Sequence, residues 1–347
     1  MLRYLSIISP STLNMKTTHF ALALLALATC PAFAEYPETL FKGASQKVVV
    51  YDNSTNVDFT IDNVSTKIVG NGENGNTLVK ITGITRDEDL FKQEGRAELV
   101  FVRGQFENNG TITASEISLL TSTSYTKQEQ TGTTDDGWPI WGPAEEFKIS
   151  GSTSFTNNGT IDLSWTAYDA FWETEKNNTG NFYVSTDTTF INYGTVTADL
   201  NIRGGILEAE AGSIFNHSVE VGFGSTGGSL QVNGAITMNG ELWGTSGDII
   251  IMEGGSIDMM GNGVTLEDDV NLFYMVEGNV SESTPISASD LFINADIADS
   301  TSITVKGTEG GSYTTTMGQL VVPEPTTATL SLLALCGLAM RRRRAAH

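Results

Sequence analysis

The chain has 347 residues and a formal net charge of −22, and the acids are not spread evenly. Between Glu35 and Met340 there are 13 basic residues against 41 acidic ones, a net of −28, which repels phosphate backbones and argues against nucleic acid as a partner. The two cysteines, Cys30 and Cys336, stand near the two ends, and His217 is the one histidine of the body, so a disulfide, a thiolate nucleophile and a His-clustered metal site are excluded there.

In chain order, residues 1–34 are expected to be a secretory signal. Met15-Lys16 supplies a short charged start, which makes Met15 a better initiator than Met1. Phe20 to Ala28 is an apolar run of nine residues, too short to span a bilayer. Ala32-Phe33-Ala34 places small residues before a cleavage point between Ala34 and Glu35. Thr29 ahead of Cys30 is a poor lipoprotein box. Signal peptidase is therefore the first expected partner.

Residues 35–105 are expected to form an N-terminal β region or cap. Lys47 to Tyr51, Val57 to Ile61, Leu78 to Ile81 and Glu98 to Val102 are β-branched or alternating, and Asn/Gly corners separate them.

Residues 106–302 carry a repeat. Phe106-Glu-Asn-Asn-Gly-Thr-Ile112 recurs as Phe155-Thr-Asn-Asn-Gly-Thr-Ile161 and as Phe190-Ile-Asn-Tyr-Gly-Thr-Val196. Gly212-Ser-Ile214, Gly234-Ala-Ile236 and Gly255-Ser-Ile257 are read as looser copies. Asn-Gly tolerates a tight corner, and the β-branched residues after it start a strand. One such unit cannot bury its own apolar face, but stacked units share a core. The expected fold is all-β, a right-handed parallel β-helix, with a β-sandwich of hairpins as the alternative. The pattern resembles autotransporter-type passenger domains.

The step from Gly110 to Gly159 leaves room for an aromatic-rich insertion around 125–150. Trp138, Trp141, Trp165 and Trp172 offer flat apolar faces for sugar rings or protein partners, or else pack the insertion onto the body.

Catalytic candidates are few. Asp162 and Asp258 are each placed three residues after a corner glycine, but about four coil steps of ~4.8 Å keep them too far apart for one hydrolytic site. Asp199 with Arg203 is the remaining candidate for lyase-like chemistry; a solvated strand end is the plainer expectation for it. His217 is expected beside a corner, exposed or capping. Gly222-Phe-Gly224-Ser-Thr-Gly227 matches a dinucleotide fingerprint, but the residues after it read as a strand where a helix is required. Asp87-Glu88-Asp89 and Glu267-Asp268-Asp269 could offer oxygen ligands to Ca²⁺, though without the spacing of a calcium loop. No other cofactor is expected.

Residues 303–322 are expected to be a final strand and tether, and 323–347 a tripartite tail. Pro323-Glu324-Pro325 is an extended, accessible motif. Thr326 to Met340 is an apolar stretch of 15 residues, spanning ~22 Å as a helix and short for a permanent membrane anchor. Arg341, Arg342, Arg343 and Arg344 should stay cytoplasmic and orient the body outward. This order of features resembles the PEP-CTERM sorting signal of Gram-negative bacteria. The resemblance covers about the last 25 residues. It implies an exosortase partner, export across the inner membrane, and delivery to the cell surface or extracellular polysaccharide. It implies nothing about the body, for which a structural or adhesive, non-enzymatic role leads and a β-helical polysaccharide lyase or glycosidase follows. A calcium-stabilised scaffold is the third expectation.

Overall fold

The computed structural model describes residues 46–50, 56–61, 66–69, 78–86, 97–127, 130–169, 174–282 and 286–320. The described chain is all-β apart from a single helical turn, Ala288–Leu291, and a 3₁₀ turn, Met317–Gln319. The signal segment, its Ala34–Glu35 junction, Asp87-Glu88-Asp89, Trp172, Pro323-Glu324-Pro325 and Arg341 to Arg344 lie outside the described residues. No helix among the described residues is long and apolar enough to cross a membrane.

Three stacks of parallel strands run the length of the body. The first passes from Gly104–Thr113 through Thr153–Asn157, Thr188–Asn192, Ile206–Ala209, Gly228–Val232, Gly247–Met252 and Val270–Val276 to Ser302–Gly307. The second begins on the far end of Gly104–Thr113 and passes through Thr160–Asp162, Thr195–Thr197, Ile214–Phe215, Ala235–Met238 and Ser256–Asp258 to Phe292–Ile293. The third is a ten-stranded parallel sheet that includes Ala97–Val102, Glu116–Leu120, Asn181–Ser185, Asp199–Arg203 and Val219–Val221. The chain visits the three stacks in turn and then starts again, an arrangement compatible with a β-helix. Among the described residues antiparallel strand pairing is confined to hairpins, among them Ser302–Gly307 with Ser312–Thr316, behind which Met317 and Leu320 are buried.

The core follows from alternation along each strand. Strand Thr153–Asn157 buries every second residue, and Phe106, Phe155 and Phe190 stack directly on one another before Leu207, Leu230 and Ile249 continue the row. Phe101 meets Phe155 edge to face at 4.8 Å, and Phe182 meets Phe190 at 4.6 Å, so aromatic rings from two stacks fill the centre. A second row holds Ile112, Ile161, Val196, Phe215 and Met238.

Two excursions account for the long early steps. Phe155 pairs directly with Phe106, so that step is one turn of chain plus a long hairpin, Ser122–Lys127 with Glu145–Ser150. The second is the hairpin Ser164–Asp169 with Thr174–Thr179.

The corners explain the repeat motif and correct part of it. Asn108, Asn157 and Asn192 are fully buried, and their side chains form a ladder. Asn108 Nδ2 donates to Asn157 Oδ1 at 2.8 Å, and Asn157 Nδ2 donates to Asn192 Oδ1 at 2.8 Å. Each Oδ1 also accepts the backbone N–H two residues on, at Gly110, Gly159 and Gly194. The glycines are required by contact: a Cβ on Gly159 would collide with the carbonyl oxygen of Gly110, and one on Gly194 with that of Gly159. The looser copies are not in this register. Thr195 pairs with Ile214, which puts Ser213 and not Gly212 over Gly194. Ala209 replaces the next asparagine, and the buried Ser213 hydroxyl donates to the carbonyls of Asn192 and Glu210 instead.

Candidate functional site

The strand after each corner is short, and one of its outward positions forms a polar row. Thr113, Asp162 and Thr197 are direct neighbours across three turns of chain. Asn216 Nδ2 donates to Thr197 Oγ1 at 2.9 Å and Asn239 Nδ2 to Asn216 Oδ1 at 2.9 Å, which prolongs the row. Beside it the chain leaves at Leu163 for the hairpin Ser164–Asp169 with Thr174–Thr179 and returns at Gly180, whose N–H donates to the Leu163 carbonyl at 2.9 Å. The root of the hairpin thus stands as a wall over the row. Between them lies an open cleft of about 720 Å³.

The cleft wall carries Trp165, paired with Asn178, and Thr166, whose hydroxyl lies 3.1 Å from Asn177 Oδ1 across the hairpin. His217 comes from a later turn of chain and is half-buried, with Nε2 3.3 Å from the Thr179 hydroxyl. Arg86 closes the other end. Its Nη1 donates to the Ala114 carbonyl at 3.1 Å and its Nη2 to the Ser164 carbonyl, so the buried guanidinium ties the cleft floor to the hairpin root. Asp162 is the one carboxylate lining the cleft among the described residues, and its Oδ1 accepts both the Ser164 N–H at 2.9 Å and the Ser164 hydroxyl at 2.6 Å.

Glycoside hydrolysis uses two carboxyl groups facing each other across the bond; among the described residues the cleft lining supplies one, Asp162. A guanidinium directed at two carbonyls is a structural tie and is not aimed at a leaving group.

The other candidates are dispersed. Asp199 and Arg203 share one strand and one face, but four residues at ~3.3 Å each put their backbones ~13 Å apart. Arg203 is held between the rings of Tyr183 and Phe223, 4.3 and 4.4 Å from the ring centres, which keeps it from reaching back. Asp162 and Asp258 do not hold equivalent places: Asp162 follows Thr113 and precedes Thr197, whereas Asp258 stacks on Thr237, in the line of Ile214 and Thr195. The cause is the register change at Ser213. Gly222 to Gly227 joins Val219–Val221 to Gly228–Val232, strand to strand.

Trp138 and Trp141 lie at the tip of the first excursion, in the hairpin Gln130–Thr133 with Pro139–Trp141, each 55% exposed. The root of that excursion packs without them: Ile149 joins Val100 and Val102 in a small separate core, against Leu120. Trp165 belongs to the second excursion, so the aromatic residues divide between two hairpins. Glu267, Asp268 and Asp269 occupy an exposed turn between two strands, and among the described residues no three His, Cys, Asp or Glu side chains gather into a metal-binding group.

Sequence reasoning missed the cleft. It weighed Asp162 only against Asp258, placed His217 beside a corner as exposed or capping, and did not consider Arg86, Thr113, Thr179 or Thr197. The one available signal was the outward position three residues after the repeated corner glycine, occupied by Thr113, Asp162 and Thr197 just beyond the inward Ile112, Ile161 and Val196. Comparison with protein-family models, with curated proteins and with solved structures finds no match to this chain.

Proposed function

We propose that this chain is an exported protein of the PEP-CTERM type, handled by signal peptidase and then by an exosortase, and delivered to the cell surface or extracellular matrix. Its body is a right-handed parallel β-helix that serves as an acidic structural or adhesive module and not as an enzyme. The short apolar helix and Arg341 to Arg344 act as a sorting handle in the membrane.

The observation that carries the structural half is the unbroken parallel stacking from Gly104–Thr113 to Ser302–Gly307, locked at its corners by the Asn108–Asn157–Asn192 ladder. Repetition of one unit along an axis suits a spacer, because each turn of chain needs only its neighbours. The sorting half is supported by the order of features in the sequence: apolar segment, Ala32-Phe33-Ala34, acidic body, Pro323-Glu324-Pro325, apolar stretch, arginines.

The test is fractionation of the native protein with intact-mass analysis, in a host that supplies the sorting machinery. The expected product begins at Glu35, ends near Pro325 and is found outside the inner membrane. Changing Pro323 and Pro325 to alanine should leave the long form in the membrane fraction. Recovery of the uncut chain from the cytoplasm would overturn the proposal.

A further inference from the structure

We propose that the cleft between the polar row Thr113–Asp162–Thr197 and the hairpin root at Trp165 is a binding site for a neutral, hydroxyl-rich saccharide chain. This names a ligand for the adhesive body and rests on the reading of that body as a binding module.

Three features point the same way. The floor repeats: Thr113, Asp162 and Thr197 come from successive turns of chain at ~4.8 Å, a spacing comparable with one sugar ring, so a chain of rings lying along the axis meets a polar group at each step. The wall is aromatic: Trp165 is half-exposed and lines the cleft, and an indole face suits the apolar face of a pyranose. The polar atoms have capacity left. Thr113 Oγ1 accepts the Arg86 N–H and Thr197 Oγ1 accepts Asn216 Nδ2, so each hydroxyl proton can be donated outward. Asp162 Oδ1 is occupied by Ser164, while its second oxygen has no hydrogen bond among the described residues and can accept from a sugar hydroxyl.

Charge selects among saccharides. In the cleft the Arg86 guanidinium, turned to the Ala114 and Ser164 carbonyls, and the Asp162 carboxylate offset one another, while the body around them carries a net of −28. A uronate carboxylate would enter against that field, so a neutral chain is preferred. The volume of about 720 Å³ falls within the ~300–1,000 Å³ usual for small-ligand sites.

The test is calorimetric titration of the exported protein with neutral hexasaccharides of glucose, mannose and galactose and, in parallel, with a hexagalacturonate. At least one neutral hexasaccharide should bind, and more tightly than the galacturonate. Trp165→Ala should weaken that binding about tenfold or more, and Trp165→Phe, which keeps a flat ring, should bring it back to within about threefold of the native protein. Trp141→Ala, on the other hairpin, should leave it unchanged. The proposal is overturned if no neutral hexasaccharide binds, if the galacturonate binds best, or if the phenylalanine variant binds no better than the alanine variant. Cleavage of a bound sugar, abolished with Trp165→Ala, would uphold the site and sink the non-enzymatic reading of the body.

Discussion

Asn157 is the most informative single position in the body. It is fully buried, donates to Asn192 at 2.8 Å, accepts from Asn108 at 2.8 Å and accepts the Gly159 N–H at 3.2 Å. Asn157→Ala removes both ladder bonds, at about 1 kcal/mol each, and leaves the half-buried Gly159 N–H without its acceptor, at about 1 kcal/mol more. The expected loss is about 3 kcal/mol. Asn192 ends the ladder, and its Nδ2 turns to the Gly194 carbonyl at 3.1 Å. Asn192→Ala breaks one ladder bond, that Nδ2 bond and the acceptor of the Gly194 N–H, and should cost about the same, about 3 kcal/mol. Asn158, next in sequence but exposed, donates from its side chain to Asn109 Oδ1 at 3.0 Å, and Asn158→Ala should stay within about 0.5 kcal/mol. Urea unfolding of the three variants beside the native protein, with comparable slopes, measures the order directly. If Asn157→Ala cost no more than Asn158→Ala, the ladder would not be holding the corners.

Two further outcomes are expected. Gly159→Ala should destabilise by about 3 kcal/mol, since its Cβ would strike the Gly110 carbonyl and neither backbone can move without disturbing the stack. Gly137→Ala should cost only about 1 kcal/mol, because that glycine has φ +83° but open space around it; thermal melts of the pair separate collision from backbone strain. Burial, and then the Glu253 carboxylate, push the Tyr274 phenol above its ordinary pKa of 10.0. A raised folded value means that its contribution is complete below about pH 10 and is lost as pH rises through the folded value. Tyr274→Phe should accordingly lose less stability than the native protein between pH 9 and pH 11, read as the shift in urea midpoint; equal losses would refute that role.

The all-β class and the corner motif were legible because both are local. Phe106, Asn108, Gly110 and Ile112 lie within one short segment whose alternation states which side chains face inward. The later register was not legible, because the corners lengthen. Two residues separate Asn192 from Thr195, four separate Ala209 from Ile214, and six separate Ile251 from Asp258, while the pairings hold all of these flanks in line. A glycine count follows the chain, whereas stacking follows the flanking strands, and the two part company at Ser213. The cleft was hidden for a related reason. Arg86, Asp162 and His217 are far apart in sequence, and only the summed register of several turns brings them to one place. The hairpin that walls the cleft is also the one that lengthens the second repeat step, so in the sequence it reads as an irregularity.

The ladder has a direction and a stop. Asn108 and Asn157 each give a proton toward the next turn of chain, and Asn192 gives its proton to its own corner, because Ala209 stands where a fourth asparagine would receive it. The asparagines therefore act as a template for growth by duplication. A second copy of residues 153–187 inserted before Thr188 would meet a matching donor on one side and a matching acceptor on the other, lengthening the rod by one turn and one cleft-bearing hairpin without repacking its ends.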